Sequence, residues 1–126
     1  MDKMLTKGER IWRSLLNPSS ENIAASEWLL LFTVCKNNGI CLKEISKKLS
    51  ENWEKVHNKK PGFYIKWSTG YEIDKELIRY EDIGILKITK WTGEEPCWSL
   101  TGSGEKVLND WKGNVRKMLG TIVDTL

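Results

Sequence analysis

Between Thr69 and Leu108 the chain carries helix and strand signals in an order that sharply narrows the folds available to it. Thr69-Gly-Tyr-Glu72 has the spacing of a capping box, in which a hydroxyl and a carboxylate satisfy orphan amides at a helix start. Ile73, Leu77 and Tyr80 then fall on one inner face, while Glu72, Lys75, Arg79 and Asp82 project away from it, and Gly84 ends the helix. Leu86-Lys-Ile-Thr-Lys-Trp91 alternates as a strand does, and Cys97-Trp-Ser-Leu100 is its expected partner. Thr92-Gly-Glu-Glu-Pro96 supplies turn residues between them, and Thr101-Gly-Ser-Gly104 opens a last helix.

Helical signals also precede this unit. Thr6-Lys-Gly-Glu9 is a further capping box, followed on one side by Ile11, Trp12, Leu15 and Leu16. Asn17 and Pro18 suit the cap and first position of a second helix. Trp28, Leu31, Phe32 and Cys35 give that helix a core-facing stripe, and Asn37-Asn38-Gly39 stops it. Leu42, Ile45, Leu49 and Trp53 form the next stripe. His57-Asn-Lys-Lys-Pro-Gly62 then reads as a loop and Phe63-Tyr-Ile-Lys-Trp67 as a short extended piece. This connection is longer than a tight helix-to-helix turn. In the last helix Leu108, Trp111, Val115, Met118, Ile122 and Leu126 make a nearly heptad stripe. Gly113 and Gly120 each weaken that helix by ~1 kcal/mol relative to Ala. The stripe suits a second copy of the chain, with Leu108, Trp111, Val115, Met118 and Ile122 at a two-fold interface, or a return onto its own domain.

At 126 residues the chain is expected to be a single unit with a core of its own. The expected division is an N-terminal helix over 1–17, a central domain over 18–104 and a C-terminal helix over 105–126. No apolar run approaches the ~20 residues of a membrane span. The N-terminus lacks an apolar signal segment, so the expected location is the cytoplasm. Cys35, Cys41 and Cys97 match no metal spacing and, in that compartment, are expected to be reduced and structural; oxidation sensing by Cys41 or Cys97 is the alternative. His57 is the only histidine, and no nucleophile elbow, phosphate-cradling loop or metal set accompanies it, so an enzyme is not expected, nor any cofactor. Glu94-Glu95 reads as a solvated turn tip. Lys43, Lys47, Lys48, Lys55, Lys59, Lys60 and Lys66 form a basic stretch, and Glu72, Asp74, Glu76, Glu81 and Asp82 an acidic one.

The order of helices and hairpin is the layout of a winged helix-turn-helix, an α+β and mostly α fold, here with an extra N-terminal helix and a long C-terminal one. Leu77-Ile-Arg-Tyr-Glu81-Asp-Ile-Gly84-Ile-Leu86 resembles the end of the recognition helix in PadR- and MarR-type regulators, with Tyr80 in place of their second Leu. Trp98-Ser-Leu-Thr101-Gly-Ser-Gly104-Glu-Lys-Val-Leu108 resembles their second wing strand and following helix. The resemblance implies a dimeric regulator of transcription whose paired recognition helices enter successive major grooves of double-stranded DNA. Carried over by position, the reading face is Ser68, Thr69, Tyr71, Glu72, Lys75 and Arg79. Lys75 or Arg79 would donate to guanine, and Ser68 and Thr69 would meet phosphate. Lys43, Lys47, Lys66, Lys87 and Lys90 are the implied contacts to the DNA backbone.

Two alternatives stay open. An acidic helix repels phosphate, and winged helices also serve as protein-interaction modules. The seven tryptophans are expected to supply core area, or else, through Trp12 and Trp111, a flat pocket that stacks a small planar effector.

Overall fold

The computed structural model describes residues 21–126, so Trp12, the Thr6–Glu9 capping box and the Asn17-Pro18 helix start lie outside the described residues. The chain is α+β and mostly helical. Its elements are α1 (Glu21–Lys36), β1 (Ile40–Cys41), α2 (Leu42–Lys59), α3 (Gly70–Asp82), β2 (Leu86–Thr92), β3 (Glu95–Leu100) and α4 (Gly102–Leu119), followed by a 3-10 turn over Gly120–Thr125. The strands form one antiparallel sheet in the order β1-β3-β2.

α1 is the central helix. Trp28 and Leu31 are buried as the stripe predicts, but so are Leu29, Leu30 and Val34, together with Ser26, Glu27 and Thr33; Phe32 and Cys35 are only half-buried. A helix buried nearly all round is one packed on several sides. Here α2, α4 and β3 supply those sides. Of its buried polar groups, Thr33 donates to the Leu29 carbonyl at 2.8 Å and accepts from Asn52 Nδ2 at 3.1 Å. Gly39, at φ 87°, turns the chain into β1, a strand too short for the sequence pattern to announce.

α2 runs further than expected. Val56 extends the Ile45–Leu49 stripe into the core and the Lys60 amide closes the last turn on the Val56 carbonyl, so His57 is helical and not in a loop. Phe63–Trp67 is no strand. Phe63 and Trp67 are buried as anchors of an irregular segment, and the Phe63 carbonyl meets both Trp53 Nε1 (3.1 Å) and His57 Nδ1 (3.2 Å).

The hairpin is tighter than the turn residues suggested, with Thr92 already paired to Glu95 and Gly93 at φ 64° between them. A bulge between Ile88 and Lys90 breaks the simple alternation. Lys87 pairs with Ser99 and Lys90 with Cys97, two residues apart on β3, so the bulge places both lysines on one face of the sheet. Without it Lys90 would turn to the Trp98 side.

Thr101 caps α4 by accepting from the Gly104 amide at 3.1 Å and donates to the Gly84 carbonyl at 2.6 Å. A Cβ on Gly104 would run into the Ile85 carbonyl oxygen, so this glycine is what lets α4 lie against the end of the α3–β2 connection. The terminal stripe does not continue as one helix: Gly120, at φ 80°, ends α4. Leu108, Val115, Leu119 and Val123 are buried within the protomer, and Trp111, Met118 and Ile122 are half-buried against the same core. Of the two uses foreseen for the stripe, the return onto α1 takes most of its area; Trp28 Nε1 donates to the Leu108 carbonyl at 3.0 Å across that contact.

Candidate nucleic-acid interface

The inner face of α3 is fixed by Ile73, Leu77 and Tyr80, all buried. Its opposite face is open to solvent at Tyr71, Glu72, Lys75, Ile78, Arg79 and Asp82. α2 lies beside it, since Gly70 sits against Ser46, and the hairpin turn approaches α3 at Asp74. Leu42, Lys43, Asp74, Thr92, Glu94, Glu95 and Pro96 line the open cleft where the three elements meet. Lys43 lines this cleft, and Lys47 on α2, Lys75 on α3 and Lys87 and Lys90 on β2 are exposed.

The helix start differs from a simple phosphate cradle. Thr69 caps α3 by accepting from the Glu72 amide at 3.2 Å, as the sequence predicts. The Glu72 carboxylate returns one residue further than in a regular capping box. It accepts from the Ser68 amide at 2.7 Å and the Ser68 hydroxyl at 3.3 Å. The Ser68 amide first, and its hydroxyl with it, hold the Glu72 carboxyl below its ordinary range. The anion at this helix start is therefore the protein's own, and Ser68 and Thr69 already have partners.

Arg79 and Lys66 also have internal partners, which the sequence pattern did not reveal. Glu27, in the middle of α1, is 1% exposed, and its Oε1 accepts from Lys66 Nζ at 2.5 Å and Arg79 Nη2 at 3.2 Å. Glu76 completes the group, paired with Arg79 one turn away and with Lys66 at 3.5 Å. Burial pushes the Glu27 carboxyl up, and Lys66 acts against that rise. Burial, then the Glu27 and Glu76 carboxylates, keep the neighbouring Tyr80 phenol far above its ordinary range, so it stays protonated. Two cations assigned by resemblance to DNA thus hold α3 and the preceding loop onto α1. Lys75 remains as the cation of the outer α3 face, with its ammonium 4.9 Å from the Tyr71 ring.

β1 brings Cys41 opposite Cys97, with Cα atoms 4.2 Å apart, and the two form a disulfide. This corrects the expectation of three reduced cysteines. The pairing follows from a strand register between residues 56 apart, and only Cys35 is a free thiol. Glu95, expected at a solvated tip, instead accepts from the Lys43 amide at 3.1 Å and so caps α2, whose preceding residue Cys41 makes no side-chain cap.

The tryptophans mostly serve the core: Trp28, Trp67 and Trp98 are buried and Trp53 and Trp111 half-buried, whereas Trp91 is 61% exposed on the hairpin. A cavity of about 230 Å³ between α1 and α4 is lined by Trp28, Phe32, Cys35, Lys36, Leu108, Asn109 and Lys112; Trp111 is not one of its walls. Among the described residues no cluster of His, Cys, Asp and Glu is placed to hold a metal ion, and no helix is long and apolar enough to cross a membrane. Comparison of the chain with protein-family models, with characterised proteins and with solved structures finds no match to any of them.

Proposed function

We propose that the protein is a winged-helix regulator of transcription, of the kind its PadR- and MarR-like motifs imply, and that it binds double-stranded DNA with α3 toward the major groove and the β2–β3 hairpin as the wing. The observation that carries this reading is the uncovered outer face of α3, together with exposed lysines on α2, α3 and the hairpin. Phosphate contacts supply affinity without sequence information, and base contacts supply specificity. Lys43, Lys47, Lys87 and Lys90 are the backbone arms. Lys75 and Tyr71 are the residues that meet base edges. Arg79 acts by positioning α3, since its guanidinium is committed to Glu27 and Glu76. Pairing of two copies would use the half-exposed edges of Met118 and Ile122, and any effector would act by changing the spacing of the two reading helices.

A salt titration of binding to a random-sequence duplex pool, with the solution mass measured alongside, tests the reading. Four phosphate contacts per protomer predict a slope of log K against log salt of about −3 to −4. Lys87→Ala and Lys90→Ala should each reduce that slope by about 1 on every duplex, whereas Lys75→Ala should act unevenly across sequences. No binding even at low salt refutes it.

A second reading is favoured by a specific feature of the same face. Tyr71 is 68% and Ile78 47% exposed beside Glu72 and Asp82, a mixture of apolar and acidic groups suited to a basic protein surface. In that case Ile78→Asp abolishes partner binding, and duplex DNA fails to compete.

A further inference from the structure

We propose that Cys41 and Cys97 are a reversible thiol–disulfide switch, tying the start of α2 to the β2–β3 hairpin when oxidised and releasing it when reduced by a low-molecular-weight thiol. The bond joins two elements that have little else in common. β1 is two residues long and pairs through Ile40 with Trp98 and through Cys41 with Cys97. Beyond that ladder the junction is held by the Gly39 amide on the Trp98 carbonyl (2.8 Å), the Leu100 amide on the Asn38 side-chain oxygen (3.1 Å), the Glu95 carboxylate on the Lys43 amide (3.1 Å) and a contact of Cys41 Sγ with Thr92 Oγ1 (3.6 Å). The ladder is only two residues long, so the covalent link is the strongest single tie across the junction.

The two sulfurs are not equivalent. Cys97 is fully buried, whereas Cys41 is half-exposed and immediately precedes α2. An incoming thiolate attacks Cys41 Sγ, and Cys97 leaves as a thiolate that takes up a proton. A second thiol then attacks the reagent sulfur of the mixed disulfide and releases Cys41. The balance is one protein disulfide and two thiols giving two cysteine thiols and one reagent disulfide, with two electrons passing to the protein. The consequence for binding rests on the proposed function: Lys43 and Lys47 lie on one side of the junction, and Lys87 and Lys90 on the other. Release changes the spacing of these two basic arms.

The full chain is equilibrated in glutathione buffers from oxidised to reduced, then read by alkylation mass, amide hydrogen exchange and binding to the random duplex pool. One alkylatable cysteine should become three. The Gly39 amide should exchange at least about tenfold faster after reduction and stay less protected than the Leu30 amide in α1, whose rate follows global stability. Cys41→Ser/Cys97→Ser should match the reduced protein in amide exchange and duplex binding in every buffer, with Cys35 alone alkylated throughout. Three alkylatable cysteines in air-equilibrated protein, an unchanged Gly39 amide, or equal protection of Gly39 and Leu30 in the reduced protein would overturn the switch. A local response at Gly39 in a protein whose two forms both ignore DNA supports the switch and refutes the DNA reading.

Discussion

Arg79→Ala tests whether the outward cation of α3 is a reader of DNA or a structural partner of Glu27. Removing one member of a fully buried ion pair costs ~3–5 kcal/mol, because a charge is left uncompensated. Arg79 is 45% exposed and Lys66 stays in place, so solvent and the second cation reduce that to about 1–2 kcal/mol. The corresponding fall in melting temperature is about 5 °C for a domain of this size. Lys66→Ala/Arg79→Ala leaves Glu27 with neither cation, and its carboxyl, already raised by burial, rises further. A carboxyl whose folded pKa exceeds the unfolded one contributes stability below the unfolded carboxylate range, and that contribution is lost as pH rises through the folded value. The double variant should therefore be more stable at pH 5 than at pH 8 by a wider margin than the native protein. Adding Glu27→Gln should flatten that dependence. Urea unfolding followed by tryptophan fluorescence at both pH values measures all three. A native midpoint for Arg79→Ala, with a double variant no more pH-dependent than the native chain, would show that the Glu27 group does not hold α3.

Other perturbations separate the remaining parts of the argument. Gly104→Ala forces a methyl group against the Ile85 carbonyl and should destabilise by about 2–3 kcal/mol, whereas Gly113→Ala, with open space around it, should gain about 0.5–1 kcal/mol; denaturant midpoints measure both. The Glu72 carboxyl is depressed in the folded chain, so its contribution is present above the unfolded carboxylate range and lost as pH falls through the folded value. Glu72→Gln should accordingly be less stable than the native protein at neutral pH and converge with it in acid, as thermal melts will read, while gaining affinity for duplex DNA. Breaking Cys41–Cys97 opens a loop of sequence separation 56, for which chain entropy predicts a loss of about 4 kcal/mol between oxidised and reduced protein in calorimetry.

What the sequence determined by itself was local. Thr69 and Thr101 cap their helices as read, because a cap joins residues three apart. The inner face of α3 and the hairpin that follows it were equally legible, since 3.6- and 2-residue periods are written in consecutive side chains. Only the tertiary structure decided the rest. The burial of α1 on nearly every side, the two-residue β1, the Cys41–Cys97 bond and the bulge that turns Lys90 outward all depend on which distant segments meet. The site changed most at Arg79, whose helical position pointed outward while its guanidinium found Glu27, 52 residues earlier in the chain. A one-dimensional pattern specifies which face a side chain leaves from. It does not specify which buried charge lies within that side chain's reach.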